Sequence, residues 1–235
     1  MVTLSLTGVL VNTGTVIVGS LLGLLFKKGI PERVSGAVMI ALGLCTIYIG
    51  VSGSLECENI LIVIAAMVLG AIVGTLLGID DAVGRLGKWV ENRFNRGEGE
   101  KVTVAEGFVT ASLLFCVGAM TINGAIESGI KGENTTFYAK STLDFFSSMM
   151  LASGLGIGVM LSAAFVLVFQ GGLTLLAGVL TPVLTPAAVA DMTAAGSLIL
   201  IAIATNLLGI TKFKVADYIP AMFFAPVIVW VVSLF

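Results

Sequence analysis

Between Asn59 and Ile79 the chain reads NILIVIAAMVLGAIVGTLLGI, 21 residues without a charge. A helix needs ~20 predominantly apolar residues to cross a ~30 Å hydrocarbon core. In lipid each backbone N–H and C=O must find its partner within the protein, which leaves helices and closed barrels as spanning structures. The run is rich in Leu, Ala and Gly and lacks the polar alternation of barrel strands, so it reads as a transmembrane helix. Further apolar runs lie near 5–26, 36–54, 106–127, 142–168, 172–190, 192–210 and 216–235, giving about eight spans in an all-α, polytopic transmembrane bundle. The composition agrees: 57% of residues are hydrophobic and 11% charged, where soluble domains carry about 25% charged residues. A single membrane domain, 1–235, is expected. The boundary between the fifth and sixth runs is set at FQGGL, residues 169–173, because residues 142–190 as one helix would extend about 73 Å.

Several classes of function lose their parts at this level. The first 26 residues carry no charge, so the basic region of a cleaved signal peptide is missing and the first run is expected to be retained. Cys45, Cys57 and Cys116 have no paired or metal-like spacing, and the chain has no His, so a zinc site is not expected. The same lack of a His base, a ligand cluster or a nucleophile motif argues against an intramembrane enzyme, and no cofactor is expected. The net charge of -2 points to no nucleic-acid partner.

The basic residues orient the chain. Lys27, Lys28 and Arg33 fall in the first loop, Arg85, Lys88, Arg93, Arg96 and Lys101 in the third, and Lys212 and Lys214 in the seventh, placing ten of the twelve on one side. Short cytoplasmic loops are enriched in Lys and Arg, so both termini are expected outside. A seven-span reading would leave eight against four. Within the 80–105 loop, Val83, Leu86, Val90 and Phe94 recur at helical spacing, with Arg85, Lys88, Arg93 and Arg96 between them. This is the pattern of an amphipathic helix on an anionic membrane surface, with Trp89 at headgroup level.

Association of helices in lipid depends on close approach through small residues. Gly19 and Gly23, then Gly70, Gly74 and Gly78, then Gly154 and Gly158 stand four apart, as tight packing faces require; the Gly70 face is long enough to serve a second subunit in a homo-oligomer. GSLLGLL at 19–25 resembles GAIVGTLL at 70–77, and MIALG at 39–43 resembles MTAAG at 192–196. Such pairs are what an inverted repeat of a transporter would leave in the sequence.

Polar residues inside spans are costly and mark where function should be sought. The residues selected on this ground as a substrate pathway are Asn12, Thr121, Asn123, Lys140, Ser141, Asp144, Ser147, Ser148 and Asn206. In YAKSTLDFFSSMML, residues 138–151, Ser141 followed three residues later by Asp144 is an N-terminal capping pattern, and a cap at Ser141 would leave Lys140 outside the helix. Ser147, Ser148 and Ser153 continue the polar content deeper than a cap requires. Capping alone and capping with a pathway role both fit.

The segment EGFVTASLLFCVGAMTINGAIESGIKGENTTFYAKSTLDFFSSMMLASGLGIGVMLSA, residues 106–163, resembles the YqgA/YdfK-type family of prokaryotic multi-spanning membrane proteins, a domain family of unknown function. CVGAMTI at 116–122 and KSTLD at 140–144 are its most specific pieces, and VNTGTVIVGSLLG and ATNLLGITKFKVADYIPA extend the likeness to both ends. The family usually has a glycine where this chain has Phe145. The resemblance implies a multi-pass protein of the prokaryotic plasma membrane and supplies no activity. The residues themselves point first to transport of a small solute or ion, and second to a scaffold or regulatory subunit whose polar groups only hold helices together.

The orientation has a direct test. A periplasmic reporter fused after residue 235 is expected to be active, and a cysteine placed at position 131 to react with a membrane-impermeant label from outside. Activity of a cytoplasmic reporter at the C-terminus, or labelling of position 131 from the cytoplasmic side alone, overturns it.

Overall fold

A computed structural model describes residues 5–27, 32–94 and 103–234, and among them the chain is helical with no strand. The helices are α1 (Thr7–Lys27), α2 (Glu32–Ser54), α3 (Ile60–Leu77), α4 (Ile79–Phe94), α5 (Val104–Cys116), α6 (Ala119–Ile126), α7 (Thr135–Leu155), α8 (Gly158–Leu175), α9 (Ala177–Leu180), α10 (Pro186–Leu207) and α11 (Ala221–Val232). A π-helical turn, Glu127–Lys131, follows α6, and a 3-10 turn, Val215–Tyr218, precedes α11.

Five helical segments among the described residues are long and apolar enough to cross a membrane: Thr7–Phe26, Ile60–Leu77, Gly158–Leu175, Pro186–Leu207 and Val215–Val232. A sixth results if α5 and α6, bent by 59°, count as one broken span. Two further runs fall short: the apolar part of α2 covers only Met39–Ser54, and α7, 21 residues long, is diluted by Lys140, Asp144 and its hydroxyls. The chain is inside-out relative to a soluble protein. Leu25, Leu61, Leu76 and Val168 are exposed, while Asn12, Ser148, Ser162, Gln170 and Thr174 are fully buried. Lipid accepts the first group at no penalty, and the second group avoids it.

The expected boundary between the fifth and sixth runs is corrected. Residues 169–173 are not a turn; they lie inside α8, and Gln170 is fully buried. The break falls earlier, at Gly156, whose φ of 77° and ψ of -156° end α7 in a conformation that favours glycine. The two glycines of FQGGL are tolerated in a helix packed on its neighbours, where tertiary contact outweighs their low propensity. The expected amphipathic helix is present as α4, with Arg85, Lys88 and Trp89 exposed. The side chains of Leu86, Val90, Arg93 and Phe94, residues 95–102 with Arg96 and Lys101, and Lys28 lie outside what the structure describes.

The described residues group into two compact units. The first holds α1, α5, most of α6, α7 and α8. Glycines set its spacing: a methyl added at Gly19 would overlap Ser148 Oγ and the Phe145 carbonyl, and one at Gly23 the Met149 carbonyl, so α1 lies directly on the backbone of α7. Gly158 makes the same approach to Val104 and Phe108 on α5.

The second unit holds the apolar part of α2, α3, α10, the 3-10 turn and α11. Its centre is α10, where Ala194, Ala195, Gly196 and Ala204 are buried. Small residues there let Gly50 and Gly53 of α2 come down on Ser197 and Ile201. Both ends of α3 are pinned by acids. Asp191 Oδ1 accepts the backbone N–H groups of Glu58 and Asn59, both at 2.9 Å, next to the positive end of the helix dipole. At the other end, Asp80 donates its N–H to Asp217 Oδ1 at 2.8 Å and accepts from the Ala216 N–H at 3.2 Å. Burial pushes the Asp80 carboxyl above its usual range.

The Gly70 face has an internal partner in this unit. Gly70 meets Ala221, and Gly74 meets the Asp217 carbonyl. Gly78 does not extend the face; it caps α3 at φ 61°. The paired glycines of GSLLG and GAIVG thus perform the same task, one pair in each unit. Gly74→Ala is expected to cost about 1–3 kcal/mol by overpacking. Gly14, which has open space around its missing Cβ, should accept Ala with no loss or a gain of about 0.5–1 kcal/mol. Denaturant unfolding of both variants in detergent checks this, and equal midpoints would rule out the α3 contact.

Candidate functional site

Ser141 does not cap a helix. α7 begins at Thr135, six residues earlier, and the Ser141 hydroxyl instead donates to the Phe137 carbonyl at 2.7 Å, inside the helix. That shift brings Lys140 into α7, one turn from Asp144. Lys140 Nζ lies 2.8 Å from Asp144 Oδ2 and 3.0 Å from Oδ1. Both residues are 6% exposed, so this is a buried ion pair at i, i+4 rather than a surface one.

Other elements of the unit close around it. Asn12 of α1, fully buried, donates from Nδ2 to Asp144 Oδ2 at 3.0 Å and to Gln170 Oε1 at 3.1 Å. These two bonds fix which end of the Asn12 amide faces the acid. Gln170 of α8 donates from Nε2 to the Phe115 carbonyl at 3.4 Å, and Thr121 Oγ1 donates to the same oxygen at 3.2 Å. Phe115 needs both because the bend interrupts α5 just beyond it: Gly118, at φ 122°, follows Val117 and takes the chain out of the helix. The last carbonyls of a helix have no intrahelical donor, and here side chains replace one. A continuous hydrogen-bonded chain therefore runs from Lys140 through Asp144, Asn12 and Gln170 to a helix break. Asn12 Oδ1 is left buried without a hydrogen-bond partner.

Not all the residues selected from the sequence join this network. Asn12, Thr121, Lys140 and Asp144 do. Ser148 is buried, but its hydroxyl donates to the Phe145 carbonyl at 3.0 Å and packs against Gly19, a packing role. Ser147 is half-buried on α7, and Asn123 is exposed on α6, because α6 turns Thr121 inward and the residue two positions on faces away. Asn206 belongs to the second unit, where it ties a loop: its Nδ2 donates to the Phe213 carbonyl at 2.8 Å, and its Oδ1 accepts from the Phe213 N–H at 2.9 Å. Gln170 and the Phe115 carbonyl are the members sequence reasoning missed. Gln170 has the sequence setting of a turn, and the signal that could have found it is its isolation as the one amide in an apolar run.

A chemically specific arrangement of this kind invites comparison with known proteins. YdfK of Bacillus subtilis (strain 168), an uncharacterized membrane protein, is 28% identical over 234 residues, 97% of each chain. YqgA of Escherichia coli (strain K12), an uncharacterized protein, is 31% identical over 220 residues, 93% of this chain and 94% of its own. No solved structure matches. The family described as "Protein of unknown function (DUF554)" matches residues 7–230. With that match spanning α1 through most of α11 and two full-length relatives beside it, this membrane protein belongs to the DUF554 family.

Proposed function

We propose that the chain moves a small polar solute or ion across the prokaryotic plasma membrane as a multi-pass transporter or channel. The observation that carries this reading is the Lys140–Asp144 pair, held 2.8 Å apart and shielded from solvent in a bundle of membrane helices. Holding helices together does not require it. Neutral interhelical hydrogen bonds supply about 0.6–2 kcal/mol each, whereas burying two ions costs several kcal/mol apiece before their attraction offsets it. Ionisable side chains in membrane helices are retained where they face substrates or relays, and a broken helix beside them is how transporter sites expose backbone groups at membrane depth. The reading asks for no catalytic chemistry and no cofactor.

Its test must respect the pair. Removing one member alone strands the other and is expected to cost about 3–5 kcal/mol, so Asp144→Asn by itself confounds folding with function. Ser148→Leu is equally unsuitable, since it would drive a side chain into Gly19. The double variant Lys140→Met with Asp144→Asn removes both charges at nearly constant volume and should unfold within about 2 kcal/mol of the parent. A bound solute at one hundred times its Kd raises stability by about 2.7 kcal/mol. A solute panel read by thermal unfolding, followed by flux into proteoliposomes, is expected to yield a stabilising, transported solute whose effect the double variant abolishes. Unaltered flux in the double variant would place the pathway away from the pair, and no flux in the parent with any solute would favour the scaffold reading instead.

A further inference from the structure

The site's charge balance limits what can occupy it. Lys140 and Asp144 together are neutral, and the helices around the pair offer little to compensate a change: α1 before Lys27 and α8 carry no Asp, Glu, Lys or Arg, α5 carries only Glu106, in its first turn, and Glu127, beyond α6, is engaged by the Thr136 hydroxyl one turn before Lys140. Glu106 lies nine residues from Phe115, about 13 Å along the helix. A lone cation that drew Asp144 away would strand the Lys140 ammonium in a low-dielectric interior, and a lone anion would strand the carboxylate. Either leaves an uncompensated buried charge. A solute carrying one charge of each sign can open the pair and satisfy both halves.

The ungrouped polar atoms fit the same occupant. Asn12 Oδ1 is an acceptor with no hydrogen-bond partner on a fully buried side chain, and its amide is already fixed on Asp144 and Gln170. An ammonium placed on Asp144 would find in it a second acceptor. Donors for a carboxylate come from Lys140 and from the first turn of α6, an eight-residue helix that starts at the break and whose leading N–H groups have no intrahelical partner. The positive end of its dipole favours an anion there. Thr121, in that turn, joins α6 to the Asn12 and Gln170 chain through the shared Phe115 carbonyl.

We propose that this site binds a small zwitterion, an amino-acid-like solute whose ammonium rests on Asp144 and Asn12 and whose carboxylate rests on Lys140 and the first turn of α6. The assignment deepens the transport reading and rests on it.

The test uses the purified full-length chain in detergent. Thermal unfolding is followed with the twenty common amino acids, β-alanine and γ-aminobutyrate at neutral pH. Each stabilising compound is then compared with its amide, which keeps only the positive charge, and with its desamino acid, which keeps only the negative one. At least one zwitterion should raise the melting temperature, and each half-charged analogue should bind at least tenfold more weakly. Lys140→Met should reverse the preference toward the amide, and Asp144→Asn toward the desamino acid. Should either single variant fail to fold, the double variant Lys140→Met with Asp144→Asn serves, and it should lose the zwitterion response while keeping its unliganded melting temperature near the parent's. A shift produced by sodium, potassium or a singly charged analogue through the pair, with none from any zwitterion, overturns the zwitterion assignment and leaves transport standing. No shift from any compound, together with no uptake of a labelled amino-acid mixture or alkali cation by proteoliposomes, overturns both. A zwitterion response that survives in the double variant places binding elsewhere and also overturns the assignment.

Discussion

The contact between Lys140 and Asp144 organises the first unit. An ion pair removed from solvent is tolerable only when its remaining lone pairs and protons are engaged, and the surrounding helices are arranged to do this. Asn12 can reach Asp144 Oδ2 at 3.0 Å because α1 lies close against α7, and α1 lies close because Gly19 and Gly23 put no side chain between the two backbones. The glycine face and the polar site are therefore one device. A bulkier residue at Gly19 would disturb the amide that faces the acid seven residues earlier on the same helix.

The second unit solves a related problem without a cation. Asp191 is 1% exposed, as buried as any acid among the described residues, yet its compensation comes at Oδ1 from the backbone N–H groups of Glu58 and Asn59 ahead of α3, while its Oδ2 has no hydrogen-bond partner. Cys57 Sγ adds a weak third contact at 3.7 Å. Fixed amides and a helix dipole cannot leave, so Asp191 reads as a pin for α3, with Asp80 and Asp217 pinning its other end. Asp144 differs in the kind of partner it has: a lysine on a flexible four-carbon stem, which can withdraw and return. Asp144 and Asp191 are thus compensated differently, one by a mobile side chain and the other by the backbone.

Hydropathy made the class and the helical runs legible, because apolar length is a direct consequence of bilayer thickness. Glycine spacing marked the Gly19–Gly23 and Gly70–Gly74 faces, although not which helix each meets, whereas Gly154 and Gly158 fall on two helices, either side of the break at Gly156. What stayed hidden depended on tertiary contact. Ser141 and Asp144 match a capping box in sequence, and only the start of α7 at Thr135, fixed by what α7 packs against, turns them into interior residues and places Lys140 on the helix. FQGGL has the composition of a turn, yet its glycines sit in α8 while the chain breaks at Gly156 and at Gly118, each at positive φ. Five other short side chains of α7 and α8, those of Ser141, Ser148, Ser153, Ser162 and Thr174, donate to carbonyls of their own helices. Polarity inside a span is thus an incomplete guide to function, since a hydroxyl can satisfy itself locally where an amide, an ammonium or a carboxylate cannot.

That distinction explains why the network contains the residues it does. Hydroxyl groups that back-bond to the preceding turn need no neighbour and could appear on any helix face. Asn12, Gln170, Lys140 and Asp144 have more donors and acceptors than one helix can satisfy, so in a low-dielectric interior they are driven to one another from α1, α7 and α8. Where that mutual satisfaction is incomplete, at Asn12 Oδ1 and at the carbonyls and amides freed by the bend between α5 and α6, the fold keeps polar capacity in reserve. A bundle selected for cohesion alone would gain by filling that capacity or by replacing it with apolar contact. Its retention beside a buried pair of opposite charges is the ground on which the proposed solute site rests.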